Sequence, residues 1–181
     1  MGFSLENALA LLAHTPATLD AQLRGLPEAW TACNEGEKTW TPVEIVAHVL
    51  YTERVNWLPR IQHILAVGES EPFPPFKRFG QVDEREEQSL DQLLNAFAHA
   101  RSVAIAEVRM KNLSPADLEK RGLHPVLGVV TVAQLIAAWT THDLTHLHQL
   151  TRVLAVQYTD AVGPFRKFLG VLHCKGHSEP A

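Results

Sequence analysis

Three stretches of this chain place a hydroxyl residue three positions ahead of Glu or Gln, each at the head of a long amphipathic run: Thr41-Pro42-Val43-Glu44, Ser89-Leu90-Asp91-Gln92 and Thr131-Val132-Ala133-Gln134. In this capping box the hydroxyl accepts from the backbone N–H three residues on, and the Glu or Gln side chain reaches back to the N–H of the cap. Donors that a helix start leaves open are thereby satisfied. Pro42 strengthens the first box, because proline at the first helical position presets φ and wastes no hydrogen bond. Ser114-Pro115-Ala116-Asp117 opens a shorter helix by the same logic, and Thr15-Pro16 marks a restart inside the first one.

The spacing predicts helices over 4–24 (interrupted), 42–66, 89–112, 131–156 and 164–173, with Pro59 kinking or locally breaking the second. No stretch alternates with period two, so strand content is expected to be negligible. EPFPPFKRFG (71–80) and KRGLHPVLGVV (120–130) read as irregular connections. Four long amphipathic helices predict an all-α four-helix bundle with the fifth helix as an accessory. With 181 residues, 46% of them hydrophobic, one core and one domain over 1–175 are expected, followed by a frayed tail over 176–181.

The charge pattern narrows the partners. Sixteen Lys and Arg stand against twenty Asp and Glu, net −4, with no basic cluster to track a phosphate backbone, which argues against nucleic acid. No run of 18 apolar residues exists to cross a membrane. The first residues lack a basic leader and are broken by Glu6, Asn7 and His14, the pattern of an amphipathic helix rather than a signal peptide. Cys33 and Cys174 are far apart and form no C-x-x-C, which fits reduced thiols and a cytoplasmic protein.

The chemistry gathers in THDLTHLHQL (141–150), three histidines in seven positions. An apolar stripe along this helix runs through Leu135, Trp139, His142, His146, Leu150 and Val153, so two histidines share the phase of core residues. Residues four apart lie about 40° apart around the axis and about 6 Å along it, close enough for two imidazoles to reach one ion, whereas His148 is about 240° from His142. On the second helix His48 is flanked by Ile45, Thr52 and Val55, so it too is expected to face inward. Buried imidazoles need their nitrogens satisfied, by a hydrogen-bond network or by a metal. Three neutral nitrogens with an open fourth position is the arrangement of catalytic zinc sites.

The opening W-T-P-x-E-I-x-x-H (Trp40 to His48) followed by H-D-x-x-H-x-x-Q (His142 to Gln149) resembles the DinB/YfiT-like superfamily over roughly residues 10–155. The resemblance implies an up-down-down-up four-helix bundle, a homodimer, and one divalent metal ion on His48, His142 and His146. The ion would be zinc, with nickel another occupant in purified protein. It further implies a metal-dependent enzyme, a thiol S-transferase or small-molecule hydrolase, whose substrate is a small molecule and whose co-substrate is a low-molecular-weight thiol. A metal-stabilised ligand-binding or structural bundle is the alternative. Nothing in the sequence names a catalytic side chain.

Carboxylates that would orient the ring N–H groups are Glu44 and Asp143. Their plainer readings are the capping box for Glu44, which is favoured, and a solvated helix face for Asp143. A closed structural site would need a fourth ligand from His63, Glu53 or His148, none of which has the right phase. His14, His63, His99 and His124 read as surface or hydrogen-bonded residues, and His173, Cys174 and His177 as a weak metal-binding composition near the tail. Trp30, Trp40, Trp57 and Trp139 read as core or interface aromatics, with Trp139 a candidate wall of the site. H-D-L-T-H echoes the zinc-peptidase motif but lacks the strand edge that holds a peptide, and the paired E-x-x-H motifs of di-iron bundles are absent.

Overall fold

The computed structural model describes residues 2–77, 80 and 88–174. Helix α1 spans Leu5–Leu23, a single turn α2 spans Glu28–Thr31, and α3 spans Pro42–Thr52. A π-helical turn at Glu53–Trp57 joins α3 to α4, Leu58–Val67. Helix α5 spans Leu90–Met110, α6 Pro115–Leu118, and α7 Val132–Val156. Capping boxes close the N-termini of α3, α5, α6 and α7, so the helix starts lie where the sequence marks them.

Cross-helix contacts give the directions. Arg24 near the end of α1 meets Asn95 near the start of α5, while Gln22 meets Thr151 near the end of α7. Gln62 on α4 meets Glu107 on α5, and on the α3 side His48 meets His142 while Glu53 meets Trp139. Hence α1 runs up, α3–α4 and α5 run down, and α7 runs up. The described residues form an up-down-down-up four-helix bundle.

Several expectations are corrected. α1 runs unbroken through Pro16. The second helix departs from α geometry at Glu53, ahead of Pro59. A π-turn closes i→i+5 bonds and rotates everything after it, which is why Val55 is 44% exposed rather than interior. Residues 164–173 form two short 3-10 segments, Gly163–Phe168 and Gly170–Leu172, instead of an α-helix.

The 120–130 connection is a β-hairpin, β1 Arg121–His124 paired antiparallel with β2 Gly128–Thr131. Its three-residue loop, 125–127, leads into Gly128 at φ +75, the left-handed position that closes such turns. Alternation was invisible because the one fully buried position is Gly122, which packs on Ile64 and Phe73.

The core divides into two apolar clusters. One gathers Leu12, Trp57, Ile61, Val108, Ile136 and Trp139, the other Leu19, Ile45, Leu50, Phe97, Leu150 and Val153. Between them the buried side chains are polar, including His48, Glu53, Arg101, Asp143 and His146. No described helix is long and apolar enough to cross a membrane.

Candidate metal centre

Antiparallel packing of α3 against α7 sets His48 opposite one turn of α7 carrying His142 and His146. The three Nε2 atoms converge: His142 Nε2 lies 3.2 Å from that of His48 and 3.1 Å from that of His146. One nitrogen from each ring falls within 4.8 Å of the other two. Nitrogens about 2.0–2.1 Å from a tetrahedral zinc are themselves about 3.3 Å apart, so the cluster has the spacing of a ligand set.

Burial favours the neutral form of the two rings on α7. It drives His142 down to about 2, helped by the proximity of His146, His48 and Arg101. Burial also lowers His146, opposed by its hydrogen bond to Gln149 and by Asp143. His146 Nδ1 donates to Gln149 Oε1 at 2.9 Å, which leaves a lone pair on Nε2 facing the centre. A single N–H from His142 reaches only one of the two neighbouring nitrogens at a time, whereas a central cation engages all three. His142 Nδ1 is buried with no hydrogen-bond partner, so this ring is held by packing and by what its Nε2 meets. The residues fit a divalent ion.

Aromatic rings wall the cluster. Trp40 sits 4.7 Å from His48 and stacks on His146 at 6.0 Å, while Trp57 meets His142 edge-on at 5.1 Å. Trp139 is one layer further in, stacked on Trp57. Among the described residues no His, Cys, Asp or Glu joins the three. Glu53 binds Arg101, His63 binds the Glu71 carbonyl, and His148 lies beside Cys174. Glu44 caps α3, accepting from Thr41 N at 2.8 Å and from Thr41 Oγ1 at 2.9 Å.

His14 and His99 are exposed, His124 accepts from the hairpin-loop N–H groups, and His173 bonds the Arg166 carbonyl. His177 and the 176–181 tail lie outside the described residues. A groove of about 690 Å³ between α1 and α5, whose lining includes Ala17, Ala98 and Arg109, contains none of the three histidines.

Asp143 is neither on a solvated face nor on a histidine ring. The buried seam of α7 runs Val132, Ile136, Trp139, Asp143, His146, Leu150, Val153, alternating steps of four and three, and Asp143 occupies a core position. Its carboxylate takes Arg101 Nη1 at 2.5 Å and Nη2 at 3.1 Å. Arg101 also donates from Nε and Nη2 to Glu53, both at 2.8 Å, and from Nη1 to the Leu12 carbonyl at 2.8 Å. All five guanidinium donors are used. Glu53 additionally accepts from Trp139 Nε1 at 3.0 Å.

Burial pushes the Glu53 carboxyl up while Arg101 pulls it down. The carboxylates raise the Arg101 pKa despite its own burial. This network was missed in the sequence. Its signal was available: Arg101 falls in step with Leu94, Phe97, Ala104 and Val108 on α5, and a charge in a core phase demands a partner.

Similarity to known proteins agrees with this architecture. YfiT from Bacillus subtilis, described as "a probable metal-dependent hydrolase with an unusual four-helix bundle topology", superposes with a TM-score of 0.71 at 15% identity, over 90% of this chain and 91% of that one. TT2238, described as a four-helix bundle protein, superposes with a TM-score of 0.56 at 23% identity, over 82% and 98% of the two chains. Among curated proteins nothing matches the chain. A family model of the DinB superfamily matches residues 11–150, spanning the bundle and all three histidines; the chain belongs to the DinB superfamily.

Proposed function

We propose that His48, His142 and His146 hold one divalent ion, zinc by the chemistry of the donor set, and that the protein is a metal-dependent enzyme acting on a small molecule, as a hydrolase or a thiol S-transferase. The observation that carries this reading is the convergence of three Nε2 atoms with no fourth protein ligand among the described residues. When bound, such an ion supplies Lewis acidity, making a water or thiol beside it a nucleophile near neutral pH.

The chain's own residues do the rest. Gln149 fixes the His146 tautomer. Trp40 and Trp57 exclude water from two sides. His142 is half-buried where His48 and His146 are buried, which supports approach from its side. The likeness to YfiT, with its description as a metal-dependent hydrolase, supports the hydrolase branch.

A homodimer belongs to the same reading, supported by the exposed Phe165, Phe168 and Leu169, and so does a cytoplasmic location, supported by two free cysteines. A second reading, a bundle that uses its ion only for stability, is favoured by the 690 Å³ groove lying away from the histidines.

The test is turnover by tag-free, metal-loaded protein of activated esters and amides, and of low-molecular-weight thiols with electrophiles. The enzyme reading expects turnover that a chelator abolishes and His142→Ala lacks. Chelator-sensitive stability with no turnover in either screen favours the structural reading.

A further inference from the structure

The proposed ion leaves the neighbouring network without a purpose, and its charge does not balance. Glu53 and Asp143 bring two carboxylates against one guanidinium, Arg101, and the three are 3%, 2% and 1% exposed. With both carboxylates ionised in their pairs with Arg101, the layer sums to −1 in the interior, where an uncompensated charge is costly. Burial above all pushes the Glu53 carboxyl upward, with Asp143 adding to it, while Arg101 and the Trp139 N–H hold it down.

The network is continuous with the histidines. Asp143 follows His142 in the chain and precedes His146 by one turn. Glu53 holds Trp139, which stacks on Trp57, whose edge meets His142. Three neutral imidazoles offer a divalent cation no compensating charge of their own.

We infer that the Arg101–Glu53–Asp143 network is the counter-charge of the metal centre: its net −1 offsets part of the charge of a divalent cation held by His48, His142 and His146. This rests on the reading that those histidines bind such a cation. The network residues are not ligands. They act through the field they place beside the site, so neutralising one carboxylate weakens binding while leaving stoichiometry and coordination unchanged.

The experiment measures Zn²⁺ affinity of chelator-stripped protein by competition with a chromophoric chelator, with the Co²⁺ absorption spectrum as a report on ligand geometry. Parent protein is compared with Asp143→Asn, Glu53→Gln and the double variant Arg101→Met/Glu53→Gln, which retains net −1; circular dichroism confirms folding of each. Expected are one equivalent bound in every folded variant, at least tenfold weaker affinity in either single variant, an unchanged Co²⁺ spectrum, and affinity within about threefold of the parent in the double variant. Either single variant suffices if the other does not fold.

Parental affinity in a folded single variant overturns the inference. So does an altered Co²⁺ spectrum, or a double variant as weak as the singles, since each makes the network a geometric brace. A parent that binds no Zn²⁺ removes the underlying metal reading instead, a result distinct from the others.

Discussion

At the residue scale, the decisive contrast is between two kinds of buried polar side chain. The histidines are legible in the sequence because imidazole at an apolar phase is conspicuous and H-x-x-x-H puts two on one helical turn. Arg101 and Asp143 occupy equally apolar phases, yet charged residues are common on helix surfaces and a lone one in step with the core is easily taken for solvated. Gln149 was visible only as the end of a motif; its role needed the 2.9 Å bond to His146 Nδ1. Replacing it, Gln149→Leu, should weaken metal binding by about 10–100-fold, the usual effect of losing a ligand's supporting hydrogen bond. Chelator competition reads this directly, and an unchanged affinity would show that packing alone holds the ring.

The same rings set a pH dependence. Both His142 and His146 are depressed in the folded protein, so the ordinary value of about 6.5 belongs to the unfolded chain. Above that pH neither state carries protons on these rings and stability is full. As pH falls through about 6.5 the unfolded chain is protonated first and gains free energy, so metal-free protein loses stability. Between pH 7.5 and 5.5 His142 alone accounts for a loss of about 1.4 kcal/mol, with His146 adding in the same direction, measured by urea unfolding after chelation. A flat profile over that interval would mean the folded state protonates them as readily.

At the scale of elements, capping boxes made the helix starts readable, because the signal is local chemistry. What the sequence concealed were features decided by partners. The π-turn at Glu53–Trp57 carries no composition signature, but it brings Glu53, Asn56 and Trp57 to buried positions and turns Val55 out. The hairpin buries a glycine where a strand pattern expects a large apolar side chain. A Cβ at Gly122 would lie 2.5 Å from Ile64 Cγ1 and 3.1 Å from Phe73 Cε1. Gly122→Ala should therefore destabilise the protein by about 1–3 kcal/mol, the range for overpacking a tight contact. Urea denaturation checks the value; a neutral effect would place the hairpin loosely on α4.

On the scale of the whole molecule, two apolar clusters grip a polar layer from above and below. Arg101 ties that layer to α1 through the Leu12 carbonyl, to the π-turn through Glu53 and to α7 through Asp143, all from its own place on α5. The bundle and the site are thus one construction, and ligand binding should report on global stability. Free Zn²⁺ at 100 times its Kd should raise unfolding free energy by about 2.7 kcal/mol over chelated protein, seen as a higher Tm. Equal melting with and without Zn²⁺ would separate site from fold. The four-helix bundle was legible from the helix pattern and its up-down-down-up order only through the family resemblance; the division of the core was not, because it depends on which faces meet.

The most direct measurement is the metal content of tag-free protein, by elemental analysis, beside the His48→Ala, His142→Ala and His146→Ala variants. The account predicts about one equivalent of a divalent metal in the parent and its loss in all three folded variants. Metal absent from the parent, or undiminished in the variants, would contradict it.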